Sequence, residues 1–165
     1  MQIIDIARSY VGQREKPGNT GFLDKQLEAD MRSVGWVPGH SWCAYFIEMV
    51  AWKAYPDRVE SIKGLFVPSA VNSYRNLLRA GYKSSMEPKV GSFMFMQKMN
   101  DSIALWQGHC GIVSHVTDSK NFRCIEGNTN SAGSREGDSV QEKSRVVNPN
   151  VENGLKIIGF VEIRD

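Results

Sequence analysis

The sequence has no long apolar run, little net charge and few cysteines, and each shortage excludes a class of protein. No run of about 18 apolar residues occurs, so the sequence predicts no membrane-spanning helix. The formal net charge of +2 is too small to indicate a nucleic-acid-binding protein. The first residues lack the basic segment and apolar core of a signal peptide, so we expect synthesis in the cytoplasm and export only through another component.

The three cysteines are an odd number without the spacing of a metal site, so neither a disulfide framework nor bound zinc is expected. Cys110 and Cys124 fall on two segments that are predicted to pair as a hairpin, where alternate residues point to opposite faces. If His109 and Glu126 face one site, the two sulfurs lie on opposite sides of the sheet. We therefore expect two buried thiols, no metal and no cofactor.

The composition, with 41% hydrophobic and 23% charged residues, is typical of a soluble globular protein, and we expect one domain over residues 1–165. In the first half, apolar residues recur at helical spacing, and Gly, Pro and Ser mark the ends of the segments. The predicted helices cover residues 3–11, 21–33, 41–55 and 69–81.

The second half is rich in β-branched and aromatic residues in short runs. The predicted strands cover residues 90–97, 108–117, 122–126, 140–147 and 156–163. Two polar stretches, residues 98–107 and 129–138, are predicted to be loops. Helices followed by antiparallel strands indicate an α+β fold, with the helices packed on one face of an antiparallel sheet of about four to six strands.

Cys43 falls in the first turn of the third predicted helix. A helix N-terminus carries partial positive charge and unpaired N–H groups, which stabilise an anion such as a thiolate. The pKa of this thiol should therefore fall and favour the nucleophilic form. The alternative is a buried cysteine that serves only as a small apolar side chain, and its position alone does not decide between the two.

Two further motifs carry groups that a cysteine nucleophile needs. His109 begins a predicted strand, and Glu126 and Asn128 end the next one, two residues apart and hence on one face if both are extended. The start of one antiparallel strand lies beside the end of its partner, so these side chains should be neighbours. An imidazole can act as base for a thiol, and a third polar group can hold its orientation. Each residue alone has an ordinary structural explanation, and only the three together favour a catalytic site.

Three more side chains flank the cysteine and are candidates for substrate binding. Trp42 and Tyr45 could line a groove, although aromatic residues belong to the core by default. His40 lies in the turn before the helix, where it could cap the helix or meet a substrate.

In this order the motifs resemble the CHAP domain, a cysteine- and histidine-dependent amidohydrolase/peptidase with a papain-like fold. The resemblance covers roughly residues 3–162, although Ser92 stands where the family usually has aspartate. The matching segments are residues 38–46 (PGHSWCAYF), 89–95 (KVGSFMF), 108–113 (GHCGIV), 126–129 (EGNT) and 158–160 (IGF).

The resemblance implies roles for these residues: Cys43 as nucleophile, His109 as general base and then acid, Glu126 as the group that orients His109, and Asn128 as a fourth polar member. It implies hydrolysis of an amide bond in bacterial peptidoglycan, by a stem-peptide endopeptidase or an N-acetylmuramoyl-L-alanine amidase. Some relatives bind calcium through acidic residues just before the cysteine, but residues 34–42 contain no carboxylate, so no such site is expected.

Two other functions stay open at this point. One is hydrolysis of a small amide, such as a glutathione–polyamine conjugate, and the other is a non-catalytic module that binds wall fragments or a partner. We expect a monomer that acts on the cell wall or in the periplasm, after release by a holin or delivery by a secretion system. An immunity protein would be a further partner if the chain is an antibacterial effector.

Overall fold

The computed structural model describes residues 2–129 and 138–163. In these residues the predicted α+β class is confirmed: five α-helices are followed by strands that form one antiparallel sheet of six. The helices are α1 (Ile3–Ser9), α2 (Lys25–Ser33), α3 (Cys43–Ala54), α4 (Val59–Ile62) and α5 (Ala70–Arg79). The strands are β1 (Ser84–Ser85), β2 (Phe93–Asn100), β3 (Ile103–Val116), β4 (Asn121–Thr129), β5 (Ser139–Val146) and β6 (Gly154–Val161).

The sheet has the strand order β1-β6-β2-β3-β4-β5, so β3 and β4 lie side by side near one end of it. The helices cover one face, where the main apolar cluster includes Phe46 of α3 and Ile112 of β3. A second, smaller apolar cluster with Phe122 and Phe160 lies on the opposite face. None of the helices in the described part of the chain is long and apolar enough to cross a membrane.

Helix α3 is the central element of the helical layer and is buried along its first nine residues, from Cys43 to Ala51. It packs against α1, β3 and β4. Gly127 of β4 makes the close approach possible, because a Cβ built there would lie only 2.6 Å from Trp42 and 2.8 Å from Phe46. The first turn of α3 therefore rests on the end of β4, which brings Cys43 to the strand that carries Glu126.

Two helix starts show how local chemistry sets the boundaries. The Ser69 hydroxyl accepts a hydrogen bond from the Asn72 backbone N–H at 3.1 Å, and it caps α5 as predicted. The Asp24 carboxylate caps α2 in the same way at 2.7 Å from the Leu27 nitrogen, so this helix begins later than the predicted residue 21. Phe22 instead forms an isolated β-bridge with the preceding segment.

The prediction of a loop over residues 98–107 is wrong. Strands β2 and β3 continue as a hairpin through this stretch, and the turn residues Asp101 and Ser102 have positive φ angles of 46° and 65°, as a tight two-residue hairpin requires. The hairpin projects with most of its residues exposed, so its sequence is polar and lacks the alternation of a half-buried strand. Of the second predicted loop, residues 130–137 lie outside the described residues.

A β-bulge interrupts the pairing of β2 and β3 just before the predicted base. Gln97 pairs with Gly108 and Met99 with Ala104, so β3 has additional residues between these two pairs. Bulges change the twist of a strand locally and redirect its side chains. The next residue after this irregular stretch and Gly108 is His109.

Candidate active site

Cys43 is the first residue of α3, and no side chain caps the helix N-terminus in front of it. The thiol is almost fully buried, with 2% of the residue exposed. The pKa of Cys43 lies well below that of an ordinary thiol. The largest cause is a hydrogen bond from the Cys110 thiol; burial opposes this effect, and interactions with His109 and Ser41 lower the pKa further. The surroundings therefore favour a thiolate at this position.

His109 links the cysteine to the carboxylate. Its Nε2 lies 2.8 Å from Glu126 Oε2, and the other ring nitrogen, Nδ1, is buried without an ordinary hydrogen-bond partner among the described residues. Burial lowers the pKa of His109, but the charge of Glu126 and the interaction with Cys43 outweigh it and raise the pKa to about 9. A protonated ring beside a thiolate is therefore the favoured resting state of the pair.

Glu126 is fully buried and is surrounded by donors. Its Oε2 contacts His109 Nε2 at 2.8 Å and Arg145 Nη2 at 2.7 Å, and its Oε1 contacts Cys124 Sγ at 2.7 Å and Arg145 Nε at 2.8 Å. Burial raises the pKa of this carboxyl group, but the charge of His109 and the hydrogen bonds from Arg145 outweigh it and lower the pKa to about 2. All four acceptor positions of the carboxylate are used, and the group stays ionised.

Asn128 reaches the cysteine through another side chain. Its Nδ2 donates a hydrogen bond to Ser41 Oγ at 2.9 Å. The residue has a positive φ of 55°, a conformation that asparagine adopts more readily than most residues. Because the Ser41 oxygen accepts from Asn128, its own proton is available for Cys43, and the hydrogen bond from Ser41 is one cause of the low pKa of that thiol.

The structure brings the three main sequence-predicted residues together: Cys43 acts on His109, and His109 contacts Glu126. Asn128 belongs to the same site but lies on the cysteine side of it. The catalytic roles of all four stay predictions, since geometry alone does not test a reaction.

Sequence reasoning missed three residues at this site: Ser41, Cys110 and Arg145. Cys110 was expected to be a buried thiol, and it is buried, but it also contacts the proposed nucleophile. Cys124 lies in the apolar cluster of the opposite face, and all three cysteines are free. Strand alternation already placed Cys110 on the face away from Glu126, which is the helix-packed face, and this was the signal that could have found it.

The predicted substrate-binding residues make packing contacts. His40 stacks on Tyr45 with the ring centroids 6.2 Å apart and the planes 7° from parallel. Trp42 is fully buried, and its indole N–H donates to Glu15 Oε2 at 2.7 Å. Substrate binding by these residues stays a prediction; half-buried His40 is better placed for it than Trp42, which has no exposed surface.

In residues 2–129 and 138–163, no group of three or more His, Cys, Asp or Glu side chains is arranged to hold a metal ion. The chemistry available at the site is therefore described by its own side chains: a thiolate, an imidazolium and a carboxylate, together with the first backbone N–H groups of α3.

Comparison with known protein families matches the CHAP domain over residues 35–128, which is more than half of the chain. The matched range begins shortly before Cys43 and ends at Asn128, so it includes His109 and Glu126 as well. Comparisons with curated proteins and with solved structures gave no significant match. The chain belongs to the CHAP domain family, whose members are hydrolases of the amidase or peptidase type.

Proposed function

We propose that this protein is a cysteine-dependent peptidoglycan hydrolase that cleaves an amide bond of the bacterial cell wall through a thioester acyl-enzyme. The observation that carries the proposal is the buried array in which Glu126 holds Nε2 of His109 while the ring acts on the Cys43 thiol. A protein that used this fold only for binding would have no need of an ionised carboxylate behind an imidazole.

In the first half of the proposed reaction, the Cys43 thiolate attacks the carbonyl carbon of the scissile amide. The backbone N–H of Cys43, at the uncapped start of α3, donates to the oxyanion that forms. His109 gives its proton to the leaving amine, the C–N bond breaks, and the acyl group remains on the sulfur as a thioester.

In the second half, a water molecule attacks the thioester. His109, which is now neutral, takes a proton from this water, and Glu126 stabilises the imidazolium that results. The C–S bond breaks, the product leaves with a new carboxylate, and the thiolate–imidazolium pair is restored. This cycle needs His109 protonated and Cys43 ionised at its start, so we expect kcat/KM to fall as the pH rises above about 9, where the pKa of His109 lies.

Purified peptidoglycan incubated with the wild-type protein and with Cys43→Ala tests the proposal, with the soluble products identified by mass spectrometry. Wild type alone should release fragments. New peptide amino termini within the stem would identify an endopeptidase, and intact stem peptides that begin with alanine would identify an N-acetylmuramoyl-L-alanine amidase.

Two outcomes would count against this assignment. Hydrolysis retained in Cys43→Ala would exclude this cysteine as nucleophile. No fragments from the wild type with either Gram-negative or Gram-positive walls would reject peptidoglycan as the substrate, and a glutathione–polyamine conjugate would be the next amide to assay.

A further inference from the structure

Arg145 lies on β5, opposite Phe122 of β4, and its side chain runs along the sheet to Glu126. Both ends of its guanidinium fork donate to the carboxylate: Nε to Oε1 at 2.8 Å and Nη2 to Oε2 at 2.7 Å. The arginine side chain is 18% exposed and the glutamate side chain is not exposed at all. This bidentate, charge-assisted geometry is the strongest form of contact between an arginine and a carboxylate.

The location of the pair explains why Glu126 needs it. Residues opposite each other on paired strands share a face, so Glu126 and Arg145 lie on the face of Phe122 and Cys124, away from α3. Gly111 opens the space for the carboxylate, since a Cβ there would lie 2.7 Å from Glu126 Cγ. At such a buried position an unpaired carboxylate would take up a proton, because burial disfavours the charged form.

A proton on Glu126 would reverse its effect on His109. An ionised carboxylate attracts a proton to the imidazole, whereas a neutral acid does not, and the ring would then hold its own proton less tightly. A weaker imidazolium stabilises the Cys43 thiolate less. The guanidinium, which stays charged at all ordinary pH values, thus acts on the nucleophile through two intervening side chains.

A second arginine of the sheet gives the contrast. Arg123 of β4 pairs with Glu142 at 2.7 Å, but the two side chains are 52% and 20% exposed. Exposed pairs of this kind contribute little, because water and salt screen them. Arg123 has no contact with Glu126, so it is a matched control for the loss of an arginine ion pair from this sheet.

We propose that Arg145 is a positioning residue, which holds the Glu126 carboxylate ionised and aimed at His109 and so maintains the thiolate–imidazolium pair. It lies beyond residue 128, where the match to the CHAP domain ends. The inference deepens the proposed function and rests on it only for the meaning of that pair in catalysis.

The test is the pH dependence of Cys43 alkylation by iodoacetamide, followed by mass spectrometry of the peptide that contains Cys43. The proteins are the wild type, Arg145→Met, Arg145→Lys and Arg123→Met. We expect the rise of the rate with pH to move upward by a unit or more in Arg145→Met, with about tenfold slower alkylation per unit on the acid side. Arg145→Lys should recover part of the shift, because it keeps the charge without the fork, and Arg123→Met should match the wild type.

A profile of Arg145→Met that coincides with the wild type would overturn the proposal, as would an equal shift in Arg123→Met. Because Arg145→Met leaves a buried carboxylate unpaired and could unfold the protein, a second comparison uses Glu126→Gln with and without Arg145→Met. If the arginine acts only through the charge of Glu126, the two profiles should coincide; a further shift in the double variant would refute that route.

Alkylation needs no substrate, so this result is separate from the fate of the proposed function. A wild-type protein that leaves peptidoglycan intact but shows the expected alkylation shifts would reject the substrate and support the role of Arg145. Cleavage of peptidoglycan together with unchanged alkylation profiles would do the reverse.

Discussion

Two buried glutamates of this protein, one in the helical layer and one in the sheet, are in opposite states of ionisation. Glu48 of α3 is 1% exposed and Glu126 of β4 is not exposed. Burial raises the pKa of Glu48 to about 8, and the Gly64 backbone N–H opposes this only in part. Glu126 meets the same burial, but His109 and Arg145 lower its pKa to about 2. Equal burial therefore gives a neutral acid in one region and a charge in the other, and the neighbouring cations decide which.

The largest expected effect comes from removing the charge that the sheet maintains. Glu126→Gln should reduce kcat/KM by on the order of 10²–10⁴, because His109 loses the group that keeps it oriented and protonated. Stability should also fall, by roughly 3–5 kcal/mol, since Arg145 is left as a buried charge without its partner. Hydrolysis assays and urea unfolding measure the two losses.

Glu48→Gln is the matched control, because it replaces an equally buried carboxyl group outside the site. Its activity at pH 7 should equal that of the wild type. If Glu48→Gln impaired activity as much as Glu126→Gln, the separation of the two regions would be wrong.

The second effect is on stability as a function of pH. The folded-state pKa of Glu48 is raised, from 4.5 to about 8, so its contribution to stability is fully present below pH 4.5 and is lost as the pH rises through 8. Glu48→Gln should remove this loss, so the variant should gain stability relative to the wild type between pH 5 and about pH 9. His109, with its pKa of about 9, adds a fall of the same sign in both proteins.

Urea unfolding at several pH values measures the difference between the two proteins, in which the common contribution of His109 cancels. A difference that does not change with pH would mean that Glu48 is ionised in the folded protein, and the comparison with Glu126 would then fail.

A smaller effect is expected from the thiol that contacts the nucleophile. Cys110→Ala removes the hydrogen bond that is the largest cause of the low pKa of Cys43, so alkylation at pH 6 should slow by about tenfold for each unit that the pKa rises. Cys110→Ser keeps a donor of similar size and should retain more of the wild-type rate. Equal rates in Cys110→Ala and the wild type would exclude this contact as a cause.

The smallest effect should come from the far side of the cysteine. Asn128→Ala removes one hydrogen bond to the Ser41 hydroxyl, which is worth about 0.5–1.5 kcal/mol, so kcat/KM should fall by no more than about tenfold. Ser41→Ala should have a similar effect, and the double variant should be no worse than Ser41→Ala, because Asn128 acts through that hydroxyl. Additive losses in the double variant would indicate a separate role for Asn128.

The elements that the sequence predicts well are those with local signals. The capping residue Ser69 marks the start of α5, and apolar runs mark β3 and β4, because caps and periodic patterns act over a few residues. The projecting hairpin over residues 98–107 was missed for the same reason, since exposed strands carry no alternating pattern.

The candidate site divides in the same way. A helix start for Cys43, a strand start for His109 and a strand end for Glu126 can be inferred from neighbouring residues, and hairpin topology brings the last two together. Ser41, Cys110 and Arg145 join the site through contacts that depend on how far each side chain reaches and on which residues face each other across the strands.

The sequence by itself determined the α+β class, the cysteine at a helix N-terminus and the order of the polar groups, because each depends on local propensity and short-range spacing. Only the tertiary structure decided which buried carboxyl group carries a charge. Glu48 and Glu126 differ in the cations around them, and the guanidinium beside Glu126 comes from a strand whose register no local pattern specifies. Ionisation inside a protein is set by neighbours in space, so it could be read only after β4 and β5 were paired.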